Sequence, residues 1–268
     1  MPEDSYTRGP DEKSSLEQLY KIFVTGSHIL HYHNVLDVYG HFSVRHPTHP
    51  DVFIMSCSIA PANISSPDDL IGLLVSHGEP VEPTSKAGYA ERYIHSECYR
   101  RYPGVNSVIH SHSEAVMAYS VNGVPLKPIV HVAGFLSSEC PIFEISDEPN
   151  LLVTNTHLGE ALAATLGGDQ GTKIPNSPMA LMRGHGFTIV AERIIDAVVR
   201  AVYAQKNAVI QTPALTTNAA HGGNAGTIIY LSKEEIAATE KVMKWSAYRP
   251  WGLWAREVEA ANLYINLA

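Results

Sequence analysis

The chain contains little that would take it out of the cytoplasm. Only three of its 268 residues are cysteines, Cys57, Cys98 and Cys140; they are widely spaced and form no CxxC pair. That excludes a disulfide framework or a thiolate zinc module and reads as reduced thiols. The start, Met1 to Leu16, is polar, whereas a secretory signal needs an apolar run of roughly 7–15 residues. No apolar stretch reaches the roughly 20 residues of a membrane helix. A cytoplasmic protein with no membrane partner is expected. Cations are also scarce, with 19 Lys and Arg against 27 Asp and Glu, a net charge of −8. Nucleic-acid affinity rests on clustered Lys and Arg, so a small-molecule partner is expected instead.

Hydrophobic residues make up 45% of the chain and charged residues 17%, enough apolar surface to offset the ordering entropy of a folded core. Residues 1–14 carry charges, Gly9 and Pro10 without an apolar period and read as a mobile tail. Residues 15–268 read as a single domain. A first helix is expected from near Ser15 to about Tyr39, with Gly40 as its stop. Phe42–Arg45 and Val52–Met55 have β-type composition, and Leu70–Ser76 suggests a third strand. Further helices are expected over Tyr89–Arg101, over Glu114–Val121 with Ser113 as cap, and over Gly159–Leu166. A strand covers Ser107–His112, and two more lie near Ala180–Arg183 and Phe187–Val190. A long helix spans about Arg193 to Gln211. Gly222 to Gly226 is a loop, and Ser232-Lys233-Glu234-Glu235 matches a capping box that opens a final helix.

In a strand, alternate side chains share a face, so His110-Ser111-His112 offers two imidazoles to one ion. Taken alone the pattern is ambiguous, because exposed histidines need no ligand role. His185 lies between Gly184 and Gly186, residues that permit unusual backbone angles and close approach; the competing reading is a tight hairpin with an incidental histidine. Glu91 precedes His95 by four residues on a helix leading to the HxH strand, so the two share a face. A carboxylate there completes a three-histidine shell or moves protons beside it, unless it is an ordinary solvated glutamate. His95 reads as packing or outer support.

Glu91-Arg92-Tyr93-Ile94-His95, Tyr99-Arg100-Arg101-Tyr102-Pro103 and Asn106 through His112 together resemble the central motif of the class II aldolase/adducin family. Gly40-His41-Phe42-Ser43-Val44-Arg45 and Gly184-His185-Gly186 resemble its other two landmarks, in the right order. The resemblance covers about residues 17 to 215. It implies an α/β (α+β) fold: a central, mainly antiparallel sheet flanked by helices in three αβα layers, like fuculose-phosphate aldolase. It also implies a C4 homotetramer with sites at subunit interfaces. By the same resemblance His110, His112 and His185 are metal ligands, and Glu91 is the acidic residue that binds metal or acts as acid/base. The implied cofactor is a divalent ion, Zn or Mn, with Fe as the alternative.

The chain departs from the sugar-phosphate aldolases at two landmarks. They usually carry Gly-Asn where this chain has Gly40-His41, and a tyrosine where Val132 follows His131. His131-Val132-Ala133-Gly134-Phe135-Leu136, Glu91-Arg92 and Leu181-Met182-Arg183 instead resemble the branch containing decarboxylases of hydroxylated aromatic or pyridine carboxylates. Arg92, whose guanidinium suits a carboxylate, together with His41 and His131 are the expected substrate-binding residues. The expected activity is a metal-dependent carbon-carbon lyase that decarboxylates a small hydroxy or oxo carboxylate through an enolate. The alternatives are an aldolase acting on a hydroxy-carbonyl compound, an iron-dependent oxygenase, and a non-catalytic adducin-like module.

Overall fold

The computed structural model describes residues 16–83, 86–136, 140–146, 149–222 and 227–268. The expected tail at 1–14 and most of the expected loop at 222–226 lie outside the described residues.

Seven strands form one sheet: β1 (His41–Arg45), β2 (Val52–Ser56), β3 (Leu70–Leu74), β4 (Ser107–Ser111), β5 (Ile142–Phe143), β6 (Met179–Met182) and β7 (Gly186–Ala191), in the order β3-β2-β1-β4-β7-β6-β5. Every neighbouring pair is antiparallel except β5 with β6. The sheet is therefore mixed but mainly antiparallel, as expected. Strand periodicity divides its side chains between two cores. On one face Phe42, Val44, Ile109, Phe187 and Ile189 pack with α1 (Leu16–Tyr32) and α5 (Ile194–Ala220). On the other, Phe53, Met55, Val108 and Val190 pack with α2 (Arg92–Arg101) and α4 (Thr156–Thr165). The remaining helices are the short α3 (Glu114–Met117), then α6 (Lys233–Ser246) and α7 (Tyr248–Ala260). Among the described residues no helix is long and apolar enough to cross a membrane.

Several boundaries differ from the sequence reading. The first helix stops at Tyr32, not near Tyr39, because Asn34 takes φ 56°. Asparagine tolerates this left-handed conformation, and the N–H groups of Val35 and Leu36 both turn back to the Leu30 carbonyl. The chain is thereby free to carry residues 35–40 along the end of β4. Helix α2 begins at Arg92, leaving Glu91 as its N-cap residue. Ser113 precedes α3, but its hydroxyl does not cap that helix, which gives way to a 3₁₀ turn at Ala118–Ser120. Helix α5 runs past Gln211 and Pro213 to Ala220. The capping box is formed: Ser232 Oγ accepts the N–H of Glu235, and Glu235 accepts that of Ser232. The strand β5 and the separate helix α7 were not expected. All three cysteines are free thiols.

Candidate metal centre

The sheet brings the expected ligands together. His110 is on β4, on the face that carries Val108 toward α2, and His112 follows just beyond the strand end. His185 occupies the turn between β6 and β7, where Gly184 takes φ 64° and Gly186 brings the chain against β4. A Cβ on Gly186 would lie 2.0 Å from the Ser111 carbonyl oxygen, so this approach requires glycine. Glu91 reaches the same point from the start of α2. One ligand atom from each of Glu91, His110, His112 and His185 lies within 4.8 Å of every other.

The three imidazoles meet through Nε2: His110 to His112 at 3.0 Å, His112 to His185 at 3.2 Å and His110 to His185 at 3.3 Å. Their other ring nitrogens show what those atoms carry. Nδ1 of His110 faces the Phe187 carbonyl at 3.2 Å, and Nδ1 of His112 faces the Asp37 carboxylate at 3.1 Å. Both partners only accept, so in the neutral rings Nδ1 holds the proton and Nε2 presents a lone pair. Two bare lone pairs 3.0 Å apart make no hydrogen bond. A cation between them satisfies both, and nitrogens roughly 2.0–2.1 Å from one tetrahedral ion lie about 3.3 Å apart. The donor set thus fits a divalent metal. Nδ1 of His185 is buried and has no hydrogen-bond partner among the described residues.

Glu91 is buried, with Oε2 3.4 Å from His185 Nε2 and 3.8 Å from His110 Nε2. Its Oε1 accepts the Val153 N–H at 2.8 Å. Burial pushes the carboxyl pKa up, but the hydrogen bond to His185, the neighbouring imidazoles and the Val153 N–H outweigh it and hold it at about 2. The group is a carboxylate at neutral pH. Burial also keeps His110 well below the usual imidazole range, despite the opposing Glu91 charge.

Of the expected substrate residues, only His41 adjoins the cluster. It pairs with His110 across β1 and β4, and their ring centroids are 5.0 Å apart. Its Nδ1 lies 2.7 Å from His95 Nε2; His95 Nδ1 lies 2.6 Å from Ser43 Oγ, and that oxygen lies 2.8 Å from the Tyr99 hydroxyl. His95 therefore supports His41 within a buried chain. Arg92 points elsewhere, donating to Gly78 O and Glu79 Oε1, both at 2.7 Å, and to the Tyr93 hydroxyl at 3.0 Å. His131 is exposed at the start of a 3₁₀ helix, His131–Leu136.

The sequence reading missed Asp37. Its Oδ1 also accepts the N–H groups of Tyr39 at 3.0 Å and Gly40 at 2.7 Å, fixing a tight turn beside His112. An aspartate two and three residues ahead of turn amides is a readable signal, but the overlong first helix concealed it.

Residues 21–212 match the family described as Class II Aldolase and Adducin N-terminal domain. The chain belongs to the class II aldolase and adducin family. Within it, the chain is similar to the decarboxylase tropJ of Talaromyces stipitatus, at 44% identity over 92% of this chain and 97% of that protein. The class II aldolase fold recurs in solved structures. An aldolase II superfamily protein from Pseudomonas syringae superposes with a TM-score of 0.73 at 20% identity, covering 94% of this chain and 97% of that one. L-fuculose 1-phosphate aldolase from Glaciozyma antarctica superposes with a TM-score of 0.69 at 19% identity, covering 95% and 98%.

Proposed function

We propose that the protein is a metal-dependent carbon-carbon lyase that decarboxylates a small hydroxylated or oxo carboxylate. The observation that carries this reading is the convergence of three Nε2 atoms, two of them stripped of protons by their partners at Nδ1. His110, His112 and His185 would hold a divalent ion, with Glu91 as fourth ligand or as the acid/base beside it. When bound, that ion supplies electrostatic stabilisation of negative charge developing next to the breaking carbon-carbon bond.

The remaining duties fall to side chains and backbone. Asp37 and the Phe187 carbonyl orient two imidazoles, and Val153 N–H holds one oxygen of Glu91 so that the other faces the centre. With its carboxyl held at about 2, Glu91 Oε2 faces the centre as a charged oxygen suited first to ligating the ion. As acid/base it would accept a substrate hydroxyl proton and deliver it to the product carbon only where the occupied site raises that value toward neutrality. His41, set by His95, is the neighbouring group for substrate contact. The preference for decarboxylation over aldol cleavage is supported by the named activity of the Talaromyces stipitatus relative. It is supported too by His41 and Val132, which depart from the phosphate-aldolase pattern. By family resemblance the working unit is a homotetramer, and the three free cysteines support a cytoplasmic setting.

The test sets a panel of hydroxylated aromatic carboxylates against fuculose-type phosphates on the protein loaded with Zn, Mn or Fe. Carbon dioxide release without oxygen consumption is the expected result. Aldehyde release from the phosphates, with no carbon dioxide from any carboxylate, would establish the aldolase instead; strict oxygen consumption would establish the oxygenase. Replacing His110 and His112 together with Ala should abolish bound metal in elemental analysis, and full occupancy in that variant would refute the site.

A further inference from the structure

The two strands that carry the metal centre lead, at their opposite ends, to a cavity of about 510 Å³. Asn106, just before β4, and Glu192, just after β7, lie at its edge. His110 stands four positions along the chain from Asn106, about 13 Å at the usual strand rise. The cavity and the centre are therefore distinct places on one sheet. Its apolar walls come from Val132 and Phe135 of the 3₁₀ helix, Val199 of α5 and Met243 of α6. The outer wall, α6, contains no fully buried residue and rests on Gly134, where a Cβ would come within 2.4 Å of Thr239 Oγ1.

We propose that this cavity binds a small monoanionic carboxylate with an apolar body, its carboxylate held by Arg200. The charges of the lining lead to this. Arg193 is matched by Asp196 in a two-point contact, Nε to Oδ2 at 2.7 Å and Nη2 to Oδ1 at 2.8 Å. Asp196 stands four residues before Arg200 on α5 and is its natural helical partner, but both its oxygens are engaged by Arg193. Glu192 pairs with Lys173 at 3.3 Å. Glu240 and Lys244 are exposed at i and i+4 on α6, and Glu240 is one of the carboxylates whose charge reaches Arg200.

Arg200 is left recessed among these groups. It donates from Nη1 to the Val190 carbonyl at 3.2 Å and forms no ion pair among the described residues. Burial pushes its guanidinium below the ordinary range, even with three carboxylates in the surroundings. The nearby carboxylates stand back from ion-pair contact with Arg200 and leave donors of its guanidinium open, and a planar guanidinium with free donors matches a carboxylate in two-point geometry. The carboxylates at the edge disfavour a phosphate dianion. The volume falls within the range of small-molecule sites, and the apolar walls suit an aromatic or aliphatic body.

Benzoate is the probe, titrated calorimetrically into the metal-loaded full chain, with benzyl alcohol and inorganic phosphate as comparisons. Because benzoate also has access to the metal centre, the titration is repeated on the His112→Ala variant. Binding is expected to persist there and to weaken roughly 10- to 100-fold in the Arg200→Met variant, the loss of one charge-assisted contact. Arg200→Lys keeps the charge and should retain part of the affinity at an unchanged unfolding temperature, which covers the case in which Arg200→Met fails to fold. Benzyl alcohol and phosphate should bind at least tenfold more weakly than benzoate. The proposal is overturned by no benzoate binding at millimolar concentration, by loss of all binding in His112→Ala, or by equal binding in a folded Arg200→Met protein. A crystal structure with a carboxylate side chain of a second copy seated on Arg200 would overturn it as well. The outcome is independent of which reaction the metal centre performs.

Discussion

His112 donates its Nδ1–H to Asp37 Oδ1 across 3.1 Å, while the same oxygen accepts the N–H of Gly40 at 2.7 Å. The carboxylate is thus fixed by backbone before it fixes the imidazole, and its charge strengthens the lone pair on the far nitrogen. Asp37→Asn keeps the shape and removes the charge. Metal affinity, measured by competition with a chelator, is expected to fall roughly 10- to 100-fold. An unchanged dissociation constant would deprive Asp37 of its orienting role.

Glu91→Gln preserves an acceptor for the Val153 N–H, so the fold around the start of α2 should survive. What is lost is the carboxylate facing His185 and His110. Turnover is expected to drop by roughly 10²–10⁴ if the group moves a proton, with the unfolding temperature nearly constant. Near-wild-type turnover would return Glu91 to a purely structural place.

Arg92 is already committed to Glu79 and Gly78, and a substrate carboxylate would have to displace Glu79 to reach it. Arg92→Lys is therefore expected to leave KM within about twofold, since exposed ion pairs contribute little. A rise of ten-fold or more at constant metal content would restore the carboxylate-gripping role that the sequence suggested.

Acid should destabilise the protein well before its carboxylates titrate. Burial holds His95 down at about 3, against the opposing charge of Glu91, and burial together with Lys206 holds His33 at about 4. In the unfolded chain both titrate near 6.5, so below that pH the unfolded state binds protons the native state refuses. Stability is full above about pH 6.5 and declines as the pH falls toward the native values. At pH 5 the His95 contribution alone is about 2 kcal/mol relative to neutrality. Melting temperatures of chelator-treated protein at pH 7.5 and 5.0 check this, with His95→Gln expected to flatten the curve; equal values for the wild type would contradict it.

The readable parts of this molecule were those fixed by local pattern. His110-Ser111-His112 is a strand whose alternate residues share a face, and Gly186 must be glycine because β7 passes so close to the Ser111 carbonyl. The capping box at Ser232 is equally local. What escaped was set by tertiary contact or by single backbone angles. Nothing in the apolar period of the first helix announces that Asn34 will adopt a positive φ, yet that turn delivers Asp37. Two partners of Arg92, Glu79 and Gly78, lie thirteen and fourteen residues upstream, in a turn whose position depends on β3. His131, assigned to substrate by resemblance, is exposed at the start of its 3₁₀ helix, where local pattern gives no partner for it.

His112 and His185 are separated by 73 residues yet stand 3.2 Å apart at Nε2. An ion held between them ties the β6–β7 turn to β4 and to the start of α2, and binding to the native state alone adds RT ln(1 + [M]/Kd), about 2.7 kcal/mol at a hundredfold excess over Kd. Deprived of such an ion, the chain is expected to open more often along this seam and to expose the segments between to proteases. On the proposed metal-dependent reading, metal supply would set how long each molecule resists proteolysis as well as how fast it works.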